Sequence, residues 1–355
     1  MVITAPLTSV NHLRNLVHNI KVIQPKKILV PEVRRASVAI ILRVRLEQDD
    51  QPISHKDVKE LLFDKKLQKG RVEVFYIQRS IRAGDRWSGQ VAFPGGKHEP
   101  TDKDDLATAV REVHEEVGID LNASEYAHIG ELDDREVTSR FGTKLLMILS
   151  TQVFLQLSTR DNGIQADSSE VAQGIWYDFD KLKKHHSSSK WVPHNISVYQ
   201  ALKPRPPRGK VASAPSFPLV EDLFEFVFGR MKFSSIPLDS VGSSQPVSHP
   251  ATLWGLTLGI TSELWDMAHP PSLVPRVPLY YPLPRYDYPE VNLLIRLFCK
   301  PNPDRKPSNS VVNRRTWDRY FLVLKFGFIL VLVNRSLVAI WLMRLLYNYY
   351  IKNKV

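Results

Sequence analysis

The chain has 355 residues, 43% of them apolar, a formal net charge of +11 and one cysteine, Cys299. That length holds one sizeable domain with additions, or two small domains, around a full core. A single cysteine excludes an internal disulfide and any cysteine-based zinc centre, and the basic balance suits a phosphate-bearing ligand or an anionic membrane surface as well as plain solubility.

The first thirty residues are basic, with no acid before Glu32. An amphipathic, acid-poor start is the pattern of a mitochondrial transit peptide. A short packing helix with Leu13, Leu16, Val17 and Ile20 on one side accounts for it equally well. No uncharged apolar stretch marks a secretory signal here. Next come apolar runs rich in β-branched residues. ASVAIILRVRL at 36–46 and VEVFYIQRS at 72–80 read as buried strands. GQVAFPGG at 89–96 reads as a strand stopped by Pro94 and two glycines. A helix follows, then strands near 126–132, at 144–157 and at 170–180. Several strands with one strong helix predict an α+β domain, an α/β/α sandwich around a mixed sheet.

The helix is predicted from about Asp104 to Val117, with Gly118 as its C-cap. Thr101-Asp102-Lys103-Asp104 has the form of a capping box with a short acid in place of Glu. Leu106, Ala109, Val110, Val113 and Val117 make one apolar stripe. Glu112, Glu115 and Glu116 fall at helical neighbour spacing, on a face away from that stripe. Three like charges repel there, and they lie toward the end of the helix where the dipole disfavours anions. A hard divalent cation such as Mg²⁺ or Mn²⁺ reverses the sign of that repulsion. Solvated glutamates with ordinary salt bridges are the alternative.

Beyond the strands, KPRPPRGKVASAPSFP at 203–218 is a basic, proline-rich loop, and helical patterning returns at 219–230 and 251–268. The 203–210 loop lacks the interleaved aromatics of a single-strand RNA binder, so nucleic acid is a weak expectation. Prolines recur from 270 to 307, which reads as an extended linker. The stretch 320–350 contains no acid. Insertion of 326–347 is favoured by roughly 6 kcal/mol from its apolar side chains, against about 3 kcal/mol for Arg335 near the middle. Arg314, Arg315, Arg319 and Lys325 flank it on the N-terminal side, so the positive-inside rule keeps the main domain cytosolic. A buried terminal helix, or an interfacial hairpin broken at Asn334-Arg335, is the alternative. The expected organisation is a basic helical segment at 1–32, a domain at 33–268 with the insertion near 203–218, a linker at 269–317 and a membrane segment at 318–350.

The helix and the turn before it carry a resemblance. REVHEEVGI, 111–119, resembles the right half of the Nudix box, G-x5-E-x7-R-E-U-x-E-E-x-G-U, at every defined position. The left half departs: counting back from Arg111 puts Lys103 at the first Glu and Lys97 at the first Gly. A loop one residue longer restores the pattern as Gly96-x5-Asp102-x8-Arg111. GGKHEPTDKDDLATAVREVHEEVG is also similar to the coenzyme A diphosphatase branch, which has that longer loop. The branch motif upstream survives in part, as Arg79-Ser80 and Gly89-x-Val91-x-Phe93-Pro94-Gly95-Gly96, with Trp87 where a His would fall. LWGLT at 253–257 resembles a helix start late in that branch's domain.

The resemblance implies a Nudix fold over roughly 33–268, with a mixed sheet and a catalytic helix, and hydrolysis of a nucleoside diphosphate linked to another group. Coenzyme A is the branch substrate; nucleotide sugars, dinucleotides, capped RNA, or nucleotide binding without catalysis are the alternatives. It implies Mg²⁺ or Mn²⁺ held by Glu112, Glu115, Glu116 and the Gly96 carbonyl. Arg111 orients the glutamates, and Asp102 is its expected partner, with Asp104 or Asp105 as substitutes. Gly95 and Gly118 shape the box. The base varies within the family, and Glu170 is the expected one, although a surface acid at a strand edge is an equal reading. Arg79, Arg82 and Arg86 are candidate phosphate holders. Trp87 either stacks on a base or fills a core. Expected localisation is a membrane with the catalytic domain in the cytosol, or else mitochondria or peroxisomes.

Overall fold

A computed structural model of the chain describes residues 9–46, 51–82, 87–138, 145–161, 163–185, 192–197, 222, 230–238, 251–269, 285–299 and 314–352. Its helices are α1 (Ser9–Val22), α2 (Val58–Phe63), α3 (Asp105–Val117), α4 (Gly255–Ala268), α5 (Pro289–Phe298) and α6 (Arg314–Lys352). The strands are β1 (Arg34–Arg45), β2 (Arg71–Arg79), β3 (Val91–Ala92), β4 (Gly95–Lys97), β5 (Tyr126–Thr138), β6 (Leu145–Gln156), β7 (Val171–Asp178), β8 (Val192–Ser197), β9 (Arg230–Pro237), β10 (Thr252–Trp254) and β11 (Arg285–Tyr286).

Seven strands form a mixed sheet in the order β3-β2-β1-β6-β5, with β4 also on β1 and β7 also on β2. β1 and β6 run parallel, from Arg34 opposite Met147 to Leu42 opposite Leu155, and the other pairings are antiparallel. β1 and β2 are buried on both faces, which is why they read as unbroken apolar runs instead of alternating ones. Ala39, Ile41, Phe75 and Ile77 pack with Ala109, Val113 and Val117 of α3. Ile40, Leu42, Val74 and Tyr76 point the other way, into a core shared with α1 and α4. The result is the expected three-layer sandwich.

The helical reading of the N-terminal stretch holds over α1. Val10, Leu13, Leu16, Val17 and Ile20 are buried. Asn15 and Asn19 donate to the carbonyls of Ala268 and Met267 at 3.2 and 2.7 Å, so α1 supplies partners for the last turn of α4.

Several boundaries differ from the sequence reading. The strand expected at 89–96 is two short pieces, because Pro94 has no N–H and its carbonyl instead accepts from Ala39 N at 2.9 Å. The helix expected at 251–268 starts only at Gly255, after the strand β10. A second sheet, β10-β9-β11 with β8 also on β9, has no counterpart in the sequence reading. The proline-rich stretch read as extended contains β11 and α5. Pro289 fits the first turn of α5, where no N–H is needed, and Val291, Leu294 and Ile295 pack against α6. Residues 203–218, and 219–229 apart from 222, lie outside the described residues.

The C-terminal helix α6 is one continuous run of 39 residues. It passes through Asn334-Arg335 without a break, which removes the hairpin alternative. An apolar window within Arg319–Tyr350 is only 11% buried, which removes the buried-helix alternative; by length and composition this helix can cross a membrane. The Arg335 guanidinium sits 4.6 Å over the ring of Tyr288.

α3 is capped by Asp104, whose carboxylate accepts from Ala107 N at 2.8 Å. The capping box expected from Thr101 is not what starts the helix, because Asp102 is drawn instead to Arg111. Arg35 of β1 ties the first turn to the sheet through Asp105 at 2.5 Å and reaches Asp134 of β5 at 3.0 Å. Asp104→Ala should therefore lower the unfolding free energy by about 1 kcal/mol. Thr101→Ala should change it by less than about 0.5 kcal/mol. Urea midpoints of the two variants check this; equal losses would restore the capping box.

Candidate active site

The site is built where the chain crosses from β2 to β1. β3 pairs with the end of β2, and four residues later β4 pairs with the start of β1. This crossing passes close under α3. Gly95 adopts φ +145°, and a Cβ there would lie 2.3 Å from the Ser37 carbonyl oxygen. A Cβ on Gly96 would lie 2.4 Å from the carboxyl carbon and both oxygens of Glu112. Backbone on both counts, conformation and contact, requires glycine at Gly95, whereas at Gly96 a side chain would displace the Glu112 carboxylate.

Arg111 links the loop to the helix. Its Nε and Nη2 donate to the two oxygens of Asp102 at 2.9 and 3.0 Å. Nη2 also donates to the Lys97 carbonyl at 3.0 Å and Nη1 to Glu115 at 2.9 Å, and Nη2 lies 3.1 Å from Glu112. Asp102 further accepts from Glu99 N at 2.9 Å and the Thr108 hydroxyl at 3.0 Å. Arg111 above all, with these donors, holds the Asp102 carboxyl well below the usual carboxylate range. Asp102 is thus the partner that the longer loop suggested. Asp104 and Asp105 are occupied by the helix cap and by Arg35.

The glutamates are not equivalent, and the expectation of one shared face away from the apolar stripe needs correction. Glu116 is 3% exposed, turned inward between the helix and the crossing, where it accepts from Gly95 N at 2.8 Å. Burial pushes its carboxyl up to about 8, and the charges of Glu112 and Glu170 add to the effect. Glu112 is half-buried and also raised, by desolvation first, against the pull of Arg111. Glu115 is 55% exposed and engaged by Arg111. The helical phase put all three on neighbouring positions, but packing of the crossing decided which of them lost water. Gly118 takes the left-handed C-cap conformation at φ +71°, as expected.

A loop at 163–170 closes the other end. Gln165 N and Asp167 N donate to the carbonyls of Val117 and Glu116, at 3.1 and 3.0 Å. These bonds satisfy the end of α3 and bring Glu170 within electrostatic range of Glu112 and Glu116. Ser80, just after β2, donates its N–H to the Glu170 carbonyl and its hydroxyl to the Ser168 carbonyl, both at 2.9 Å. Arg82 pairs with Glu170 at 3.1 Å and with the Ser169 carbonyl. Arg79 lies close enough to Glu116 for its charge to offset part of the carboxyl's shift. Arg86 lies outside the described residues. Trp87 is 52% exposed, so the core reading of that side chain is overturned.

Gln165 and Asp167 were missed by the sequence reading, and Ser80 entered it only as part of the Arg79-Ser80 motif, without a role. Asp167 accepts from Ser169 N and its hydroxyl, at 2.8 and 2.9 Å, so the DSSE stretch carried an Asx-turn signal. Gln165 acts through its backbone N–H, for which side-chain identity gives no signal, and Ser80 acts through both its N–H and its hydroxyl.

The donor type fits a hard divalent cation: Glu112 and the buried Glu116 offer carboxylate oxygens beside the glycine crossing. Glu115 is held by Arg111, and among the described residues the three carboxylates do not all lie within 4.8 Å of one another, so an ion would have to draw them together.

Residues 55–199 match the NUDIX domain. An uncharacterised protein of Schizosaccharomyces pombe is 33% identical over 278 residues, 75% of this chain and 75% of that protein. A mitochondrial coenzyme A diphosphatase of Mus musculus is 44% identical over 55 residues, 16% of this chain and 26% of that enzyme. A peroxisomal coenzyme A diphosphatase of the same organism is 48% identical over 50 residues, 14% of this chain and 21% of that enzyme. The chain therefore spans about a quarter or less of those two enzymes. Among solved structures, a NUDIX hydrolase from Alicyclobacillus acidocaldarius is 15% identical, with a TM-score of 0.28 over 45% of this chain and 86% of that one.

The raised Glu116 carboxyl has a consequence for stability. The folded chain keeps this proton up to about pH 8, whereas the unfolded chain releases it near 4.5. Between those values the folded state binds more protons, so stability falls as pH rises through that window. In EDTA, the urea midpoint of the wild type should decline from about pH 4.5 to about 8 relative to Glu116→Gln. Parallel pH profiles would show that Glu116 ionises freely in the fold.

Proposed function

The chain belongs to the NUDIX family, and from that premise we propose that it is a divalent-metal-dependent hydrolase of a nucleoside diphosphate linked to another group, with coenzyme A or a derivative as substrate. The observation that carries the reading is the dehydrated Glu116 carboxyl beside Glu112 and the Gly95–Gly96 crossing. Two carboxyls crowded into a dry corner raise each other's cost unless a cation shares them. Glu112, Glu115, Glu116 and the Gly96 carbonyl would hold Mg²⁺ or Mn²⁺. When bound, the ion neutralises charge on the phosphoryl oxygens of the substrate.

The chain's own residues supply the rest. Arg111 and Asp102 hold the loop against α3, so that Glu112 and Glu116 keep their places; neither residue touches substrate. Gly95 and Gly118 shape the two ends of that arrangement. Glu170 accepts a proton from the attacking water as the new P–O bond forms and the phosphoanhydride P–O bond breaks, releasing a phosphate monoester. In the resting geometry Arg82 pairs with Glu170, at 3.1 Å, so a substrate phosphate that draws Arg82 away would free the base. Arg79, and Arg86 from the following loop, complete the phosphate-holding set. Half-exposed Trp87 stands on the same loop, able to stack on a base.

Support for coenzyme A in particular comes from the box with its longer loop and from short matches to coenzyme A diphosphatases. Hydrolysis of other diphosphates is the second reading, favoured by the altered motif around Trp87. Residues 33–268 together with α1 then form the hydrolase domain, β11 and α5 stand between it and the C-terminal helix, and 318–350 is a membrane anchor that keeps the domain on the cytosolic face. The apolar, mostly exposed surface of α6 supports the anchor.

With Mg²⁺, release of phosphate monoesters from a panel of coenzyme A, ADP-ribose, dinucleotides and nucleotide sugars should be fastest for coenzyme A. Glu116→Gln and Glu170→Gln should each lose about 100-fold or more. Equal rates for wild type and Glu116→Gln would remove the metal site, and cleavage of the others with coenzyme A untouched would remove the substrate assignment. The full-length chain should stay in the membrane fraction through carbonate extraction, while a chain ending at 317 should be released.

A further inference from the structure

A second cluster of ligand-type side chains lies far from the glutamates. Among the described residues, His12, Asp180 and His269 are the trio of such groups whose donor atoms all fall within 4.8 Å of one another. They come from three separate elements: the first turn of α1, the 3-10 turn Phe179–His185 after β7, and the residue that caps α4. We propose that these three side chains form a binding site for a transition-metal ion of the Zn²⁺ type, which fastens α1 to the hydrolase domain.

The geometry is that of a prepared site. His269 Nδ1 donates to the Trp265 carbonyl at 2.9 Å, which fixes the tautomer and leaves the lone pair on Nε2. A backbone carbonyl on the second ring nitrogen is the usual device for orienting a metal-binding imidazole. The same ring is clamped by stacking on buried Trp265, with centroids 3.8 Å apart and planes 22° apart. Trp265 is itself braced by Phe179, at 5.3 Å. His12 Nδ1 and Asp180 Oδ1 are 3.1 Å apart. Ligands on a tetrahedral ion with bonds of about 2.0 Å stand roughly 3.3 Å from each other, so this pair already has ligand spacing, and the other pairs lie within 4.8 Å. The ring centroids of His12 and His269 are 4.0 Å apart, with planes tilted by 44°. The side chains of His12 and Asp180 are 16% and 37% exposed, which leaves an entry path and room for water as a fourth ligand.

Chemistry sorts the two sites. Two imidazoles and one carboxylate suit Zn²⁺ or Co²⁺, whereas Mg²⁺ prefers the all-oxygen donors of the glutamate site. Position gives the role. His12 lies 168 residues from Asp180, and α1 already reaches the end of α4 through Asn15 and Asn19. An ion here joins three remote segments at the point where α1 docks.

The test uses the full-length chain, stripped with a chelator and then held in excess Mg²⁺ to fill the glutamate site. Titration with Co²⁺ should give one equivalent with the intense visible bands of a four-coordinate ion. His12→Gln/His269→Gln and Asp180→Asn should each lose that equivalent, while Glu116→Gln should keep it. Zn²⁺ should raise the Tm of the wild type and leave that of Asp180→Asn unchanged. This second readout covers the case in which the double variant folds poorly, since Asp180 is partly exposed and Asn is isosteric. Equal Co²⁺ stoichiometry in wild type and Asp180→Asn, or loss of the bands in Glu116→Gln, would overturn the proposal and leave an ordinary His–Asp hydrogen bond.

Discussion

The close passage of Gly95 and Gly96 between β1 and α3 is the constraint on which the site rests. A β-carbon on the first residue would strike the Ser37 carbonyl, and one on the second would occupy the space of the Glu112 carboxylate. With neither present, the crossing lies flat enough for Gly95 N to reach Glu116. That hydrogen bond offsets only part of the desolvation of the carboxyl, which is why its pKa stays high. The crossing thus supplies one hydrogen bond to a carboxyl twenty-one positions away, while burial sets the direction in which that carboxyl shifts.

Around this contact the fold separates charges that must be held from charges that must be available. The Arg111–Asp102 pair makes a bidentate contact and is closed by backbone groups on both sides. Glu112 and Glu116 are left facing one another's charge and that of Glu170. The extra loop residue before α3 is absorbed without disturbance, because Asp104 caps the helix and Asp102 turns back to Arg111. Loop length costs little when both ends are pinned by hydrogen bonds.

The outer elements extend the domain beyond its site. α1 is part of the main core, closing the face of the sheet opposite α3 together with α4. Its asparagines, and the His12–Asp180–His269 group beside them, make this seam polar within an apolar layer. On the far side, α5 packs on the first half of α6 through Val291, with Gly327 allowing a close crossing. The rest of α6 carries Ile340, Trp341, Leu345 and Leu346 into solvent. A surface of that kind on a monomer needs a bilayer or a partner to cover it.

Much of this was legible from residue order. Buried strands announced themselves in VAIIL and VFYI, the helix in its stripe from Leu106 to Val117, and the Arg111–Asp102 pair in the spacing of the box. These features are local, set by backbone periodicity and by which residues tolerate burial or a left-handed turn. The sequence by itself determined where the helix of the box lies and that three carboxylates stand at neighbouring helical positions on it. Only the tertiary structure decided that Glu116 is dry while Glu115 is wet, that Glu170 is carried to the end of α3 by backbone bonds from Gln165 and Asp167, and that His12 meets Asp180 and His269. Those outcomes depend on contacts between segments up to 257 positions apart, and desolvation is a property of what packs against a side chain, which no local pattern encodes.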